Sequence, residues 1–377
     1  MLQSDEGKGP LELLLEESAL RGTRAGERYP GCRFFGYFCS YWPEELVLAA
    51  GMEPLRLFPG PGSATPAELP SYTCSLARGT LAGALRGEYQ DLAGVGFAHT
   101  CDTMQCLAGI WPETAAPGPT LMIVPPVTLR APGAAAYFRA ELQELARGLS
   151  KIGGQSAGNA ELSQALELCS NIRRLAAELD ELRPALPSQV IAALLRAGQV
   201  MPRREYAAAL AGALTELKQM TEEAHGRQRI LIAGAVLEGD SLFRLVEDLG
   251  GRVVADDTCS GYRHFAQPAG EARSDPWDEL VRRYSEMPLC PCRHRSLEER
   301  PAYLAELAGS RLAQGAILVI RKYCDPHAWD AVPVAEELRS RGIRTLVLEL
   351  DGAEVGGQER TRIQAFLESL SSSAGGV

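Results

Sequence analysis

The stretch GAILVIRKYCDPHAW, Gly315–Trp329, constrains the fold more than any other part of the chain. Ala316–Ile320 is an unbroken apolar run with β-branched residues, the pattern of a parallel strand buried on both faces. It stops at Arg321-Lys322-Tyr323-Cys324-Asp325-Pro326. Pro326 biases Asp325 away from helical geometry, which predicts a turn holding Cys324 just beyond the strand's carboxyl end. Open α/β sheets bind ligands in that position. The device recurs: Cys39 closes the run that starts at Cys32, Cys101 follows Leu92–Ala98, and Cys259 follows Arg252–Ala255.

Strand and helix patterns alternate on both sides of a long helical middle. Strands are expected near Cys32–Cys39, Leu55–Phe58, Leu92–Ala98 and Leu121–Val124, and again at Arg229–Gly234, Arg252–Ala255, Ala316–Ile320 and Thr345–Leu350. Helices are expected between them, among others at Ser75–Leu85, Ser241–Leu249, Leu297–Ala308, Val332–Arg341 and Gln358–Leu370. This alternation predicts an α/β fold of two doubly wound parallel-sheet lobes. The expected division is an N-terminal helix (1–28), a first lobe (29–133), a helical connector (134–226) and a second lobe (227–377).

A chain of 377 residues, 46% of them hydrophobic, is long enough to bury two cores. A net charge of −10 argues against nucleic acid as the main partner, because phosphate binding wants a basic surface. No apolar run approaches the roughly 20 residues that span a bilayer. The acidic opening MLQSDEGKGPLELLLEES lacks a basic segment followed by an apolar core, so no signal peptide is read and the cytoplasm is the expected compartment.

In a reducing compartment, ten cysteines point to metal or redox chemistry more than to disulfides. Cys32, Cys106 and Cys169 read as small buried thiols. Cys39, Cys74, Cys101, Cys259, Cys292 and Cys324 fall at strand ends, helix starts or irregular turns. Thiolates gathered where two sheets face each other suit zinc or an iron–sulfur cluster. A structural zinc site usually shows local Cys-x₂₋₄-Cys pairs. Only Cys290-x-Cys292 and Cys101-x₄-Cys106 are close in sequence, and neither has a partner pair. The residues alone lead to a sulfur-ligated metal site between two α/β lobes.

Other candidates carry two readings each. Glu44 and Glu45 suit acid–base work, or simply the first turn of a helix. His99, His264 and His327 flank the cysteine segments and suit proton delivery, or ordinary hydrogen bonding. Glu45, His99 and His327 are taken as the catalytic candidates. Asp102 and Asp325 suit orienting their neighbouring cysteines, and Arg263 suits a phosphate or a carboxylate.

Several segments in order carry a family resemblance: Gly36-Tyr37-Phe38-Cys39-Ser40-Tyr41-Trp42-Pro43-Glu44-Glu45-Leu46, Ala49-Ala50-Gly51-Met52-Glu53-Pro54-Leu55-Arg56-Leu57, and Cys74-Ser75 with Arg78. Cys101-Asp102-Thr103-Met104, Asp257-Thr258-Cys259-Ser260-Gly261-Tyr262-Arg263-His264-Phe265, Lys322-Tyr323-Cys324-Asp325-Pro326 and Thr361-Arg362-Ile363-Gln364-Ala365-Phe366 complete the set. Together they resemble the 2-hydroxyacyl-CoA dehydratase and benzoyl-CoA reductase family, including its double-cubane cluster relatives. The resemblance implies two Rossmann-like lobes around a [4Fe-4S] cluster held by Cys74, Cys101 and Cys324. It implies reductive dehydration of a 2-hydroxyacyl-CoA through a ketyl radical, with the electron delivered by a separate ATP-hydrolysing iron–sulfur activator. The absence of a G-x-x-x-x-G-K-[ST] loop from this chain agrees with that division of labour. A homodimer, or a heterodimer with a related subunit, is implied as well. Cys39, Cys259 and Cys292 (or Cys290) resemble the extra ligands of a double-cubane [8Fe-9S] cluster. With those three present, the alternatives that the resemblance implies are a reductase of another small molecule, or an electron-transfer partner without catalysis of its own.

Overall fold

The structure, a computed structural model, describes residues 8–21, 24–60, 65–114, 118–220, 227–267 and 273–373. Parts of the expected N-terminal helix (1–7 and 22–23) and the end of the expected connector (221–226) lie outside the described residues.

Two four-stranded parallel sheets form the two lobes. The first contains β1 (Phe34–Tyr37), β2 (Glu53–Arg56), β3 (Val95–Ala98) and β4 (Thr120–Ile123), in the order β2-β1-β3-β4. The second contains β5 (Gln228–Gly234), β6 (Gly251–Thr258), β7 (Gly315–Arg321) and β8 (Arg344–Leu350), in the order β6-β5-β7-β8. Each sheet thus has its own second strand outermost and its first and third strands side by side. β1, β3 and β7 are buried along their whole length, because helices cover both faces of a parallel sheet. The two sheets share one topology, as a duplication would leave them.

Between the lobes run the helices Ala134–Gly153, Asn159–Glu181, Ser188–Val200 and Arg203–Leu217. The helix Pro10–Leu20 packs its Leu14 into the same apolar cluster as Leu194, Leu210 and Leu214. Buried ion pairs tie the middle to both lobes. Glu44, in the helix Glu44–Ala49, meets Arg203 of the middle and, at 2.8 Å, Nε2 of His264 in the second lobe. No helix among the described residues is long and apolar enough to cross a membrane.

Three local readings change. The helix Asp325–Ser340 starts directly after Cys324, seven residues ahead of the expected Val332, with Pro326 in its first turn. A proline there loses nothing, since first-turn amides have no intrahelical acceptor, so Pro326 begins the helix instead of breaking the chain. β6 continues past Ala255 through Asp256 and Asp257, which sequence places in a turn. Both carboxylates are buried because arginines neutralise them: Arg183 reaches Asp256 at 3.5 Å, while Arg263 and Arg300 reach Asp257 at 2.9 and 3.0 Å. The helix Pro276–Glu286, unassigned from the sequence, is capped by Asp275, whose carboxylate accepts the Trp277 and Asp278 amides. Asp followed by Pro is a capping signal that could have revealed it.

Gly234 ends β5 with φ 132°, and a Cβ there would stand 2.1 Å from the carbonyl oxygen of Val319 on β7. Gly234→Ala is expected to destabilise the protein by about 3 kcal/mol or more, from backbone strain plus a clash with an immovable neighbour. A lower urea midpoint at unchanged slope is the measurement, and an unchanged midpoint would show that the two strand ends can part.

Candidate functional site

In both sheets the chain leaves the two central strands in opposite directions, which opens a crevice at their carboxyl ends. The two crevices meet in one cavity of about 90 Å³. Its walls come from the ends of β1 (Phe38, Cys39), β2 (Arg56), β3 (Thr100, Cys101), β5 (Ala235, Val236), β6 (Cys259) and β7 (Arg321, Cys324). Seven cysteines line it: Cys39, Cys74, Cys101, Cys259, Cys290, Cys292 and Cys324. Cys32, Cys106 and Cys169 do not. All ten are free thiols.

Cys74, Cys101 and Cys324 share one local design. Each stands immediately before a helix: Ser75–Leu85, Asp102–Thr114 and Asp325–Ser340. Each carbonyl accepts the helix's first backbone hydrogen bond, from Arg78 at 3.1 Å, Gln105 at 3.2 Å and Ala328 at 3.1 Å. The Cys74 and Cys324 side chains make no capping hydrogen bond, yet the first-turn amides, those of Ala77 and Leu76 near Cys74, Met104 near Cys101 and His327 near Cys324, favour the charged form of each sulfur. Three helix N-termini therefore converge on one cavity, and the partial positive charge of each favours thiolate over thiol. Tyr323, just before Cys324, adopts φ 66°, a left-handed conformation that turns the chain sharply from β7 into the helix.

Burial works against that charge. It pushes the Cys101 and Cys324 thiols up to about 12 and Cys39 up to about 11. Cys259 differs. Burial raises its thiol too, but Arg56 and Arg263 outweigh burial and bring it below the ordinary value. The Cys292 amide donates to the Cys290 sulfur at 3.3 Å, and the two neighbouring thiols move in opposite directions, that of Cys290 down and that of Cys292 up.

Of the histidine candidates, only His327 lines the cavity, with Nδ1 3.2 Å from the Cys324 sulfur. Burial drives its ring well below the usual imidazole range, so it is neutral, and Nε2 is buried without a hydrogen-bond partner. His99 stands outside the lining, and its carbonyl accepts from Arg293 at 2.5 Å. Glu45 also stands outside the lining, fully buried against Arg173 and 2.8 Å from the Tyr284 hydroxyl. His264 hydrogen-bonds Ser40, and Ser40 in turn lies 3.5 Å from the Cys259 sulfur. Arg263 holds Asp257 and so answers a carboxylate. Sequence reasoning does not single out Arg56 or Arg321, because nothing in one dimension marks an arginine at a strand end as facing a cavity of sulfurs.

Cys74, Cys101, Cys292 and Cys324 also line a wider cleft of about 650 Å³. Its rim carries Trp329 and Leu297, 80% and 78% exposed, with the exposed Asp102 and Asp325 beside them. The small sulfur-lined cavity is thus the floor of a larger opening. Among the described residues, no three His, Cys, Asp or Glu side chains form a group that could hold a metal ion. The thiols are spread around a space. That arrangement fits a cluster, in which each cysteine has an iron of its own, better than a single ion, whose ligands must converge on one point.

The family model for the 2-hydroxyglutaryl-CoA dehydratase D-component matches residues 39–370. The chain belongs to this family. Its relatives include the beta subunit of (R)-phenyllactyl-CoA dehydratase from Clostridium sporogenes, 25% identical over 90% of this chain and 92% of that protein. The beta subunit of lactoyl-CoA dehydratase from Anaerotignum propionicum is 24% identical over 88% of this chain and 90% of its own length. A benzoyl-CoA reductase subunit from Thauera aromatica is 27% identical over 80% of this chain and 81% of its own length. The 2-hydroxyglutaryl-CoA dehydratase family is enzymatic and of dehydratase type.

Proposed function

We propose that this chain is a subunit of a 2-hydroxyacyl-CoA dehydratase-type enzyme and holds a [4Fe-4S] cluster through Cys74, Cys101 and Cys324. The observation that carries the reading is the convergence of these three thiols, each at a helix N-terminus, on one cavity below an open cleft. Bound there, the cluster would supply low-potential electrons for loss of the 2-hydroxyl group from an acyl thioester. The chain's own residues do the rest. The helix N-termini offset the negative charge of the thiolates. Phe38, Leu76, Met104 and Val236 keep water from the cavity walls. Neutral His327 positions the Cys324 sulfur and stands ready as a proton carrier.

Electrons reach this site from a separate ATP-dependent iron–sulfur activator, and the working enzyme pairs the chain with a related subunit or a second copy. Trp329 and Leu297, exposed beside the cleft, form the apolar part of the contact with the activator. Trp329→Ser is expected to leave the melting temperature unchanged and to weaken activator-dependent reduction by about 2 kcal/mol, roughly thirtyfold. The assay follows anaerobic bleaching of the chromophore with activator, ATP and reductant. Equal bleaching without the activator protein would sink the proposed partner, and equal rates in Trp329→Ser would move the contact elsewhere.

A second reading is favoured by a specific observation: Cys39, Cys259, Cys290 and Cys292 line the same cavity as the other three. Seven cysteines exceed the needs of one cubane, and a double-cubane [8Fe-9S] cluster would use six of them. The chain would then be a reductase of another small molecule.

A further inference from the structure

Two arginines line the cysteine cavity, and their charges are treated differently. Arg321 has a carboxylate, Glu238, at 3.3 Å. Arg56, only 1% exposed, has none among the described residues. Its Nε donates to the Phe38 carbonyl at 3.0 Å. Its Nη1 donates to Gln199 Oε1 at 2.7 Å, the Cys259 carbonyl at 2.8 Å and the Ser40 hydroxyl at 3.2 Å. Its Nη2 donates to the Cys259 sulfur at 3.0 Å. Of these acceptors only the sulfur can carry a full negative charge. A guanidinium taken out of water without a counter-charge is costly, so its environment selects an anion at that sulfur.

We infer that Arg56 is a positioning residue that sets the reduction potential of the iron–sulfur group in this cavity, by donating a charged hydrogen bond to the sulfur of Cys259. The inference rests on the second reading above, in which Cys259 is one of the cluster's ligands, so an iron content untouched by Cys259→Ser would overturn it. Hydrogen bonds to cluster sulfurs and nearby positive charge both favour the reduced, more negative state and raise the potential. Arg56 also reaches the first lobe through Phe38, the helical middle through Gln199 and the second lobe through Cys259, so its charge is held at a fixed distance from the cavity.

The test uses the full chain, purified anaerobically and loaded with iron and sulfide, with potentials from equilibrium redox titration followed by absorbance. Arg56→Met is expected to shift the potential to a more negative value, and Arg56→Lys to recover part of the shift by restoring charge without the fork. Gln199→Glu is a second variant: it keeps the acceptor for Nη1 and sets a carboxylate against it, while giving up the Gln199 Nε2 bonds to the Leu195 and Ser260 carbonyls. It is expected to move the potential in the same negative direction as Arg56→Met. A wild-type potential in Gln199→Glu would show that charge at Nη1 does not reach the cluster, and that result overturns the inference even if Arg56→Met fails to fold. A wild-type chain that takes up no iron would instead overturn the cluster reading and this inference with it. Loaded wild-type and variant chains of equal potential overturn the inference alone.

Discussion

Replacing Cys74, Cys101 or Cys324 by serine is expected to abolish the brown chromophore and most of the iron of the anaerobically loaded protein. Each of the three cysteines stands immediately before a helix, with first-turn amides that favour its thiolate. Serine is a favourable N-cap residue, so the helices are expected to survive. What serine removes is the soft thiolate ligand. Cys106→Ser serves as the control, since Cys106 is exposed and lies outside the cavity. Because buried thiols must lose their protons to ligate, iron binding to the wild-type chain is expected to release protons, and the release should shrink in each variant. Full iron content in any of the three variants would strike that cysteine from the ligand set.

The second large effect separates one cubane from two. If the cavity holds a double cubane, the wild-type chain carries about eight irons, against about four for a single cluster. Cys39→Ser and Cys259→Ser would then each remove about half of the iron, while Cys324→Ser would disturb the other half. The sequence leaves open whether Cys290 or Cys292 completes the second trio, and the structure brings both to the cavity, with Cys292 donating to Cys290. Cys290→Ser and Cys292→Ser tested separately would tell them apart by which one lowers the iron content. Saturation at about four irons, untouched by Cys39→Ser and Cys259→Ser, would reject the double cubane. Those thiols would then be small apolar wall residues, and the dehydratase reading would stand alone.

Much of this arrangement is legible in one dimension because it is local. The apolar run Ala316–Ile320, with turn residues after it, announces a buried parallel strand, and β7 is that strand. A cysteine that follows such a run must lie at the sheet's carboxyl edge, whatever the rest of the chain does. Cys39, Cys101, Cys259 and Cys324 all do. Cys74 can be placed at a helix start from the helical pattern of Ser75–Leu85 alone. The misreadings are local as well. Pro326 reads as a breaker of what comes before, whereas its missing amide suits the first turn of what comes after. Asp256 and Asp257 look too polar for a strand interior, because their arginine partners come from residues 183, 263 and 300.

Local pattern is therefore enough for the alternation of strands and helices, the two lobes and the placement of Cys39, Cys74, Cys101, Cys259 and Cys324 at element ends, since each depends on neighbours a few residues away. Which side chains share a space is settled by packing in three dimensions. Packing brings Cys290 into the cavity, sends Glu45 to Arg173 and Tyr284, leaves His99 outside and sets Arg56 against the sulfur of Cys259. The contacts of Glu45 with Arg173 and Tyr284 and of Arg56 with the Cys259 sulfur join residues 128, 239 and 203 positions apart in the chain. Their energies come from the desolvation and pairing of charges, which no local pattern encodes.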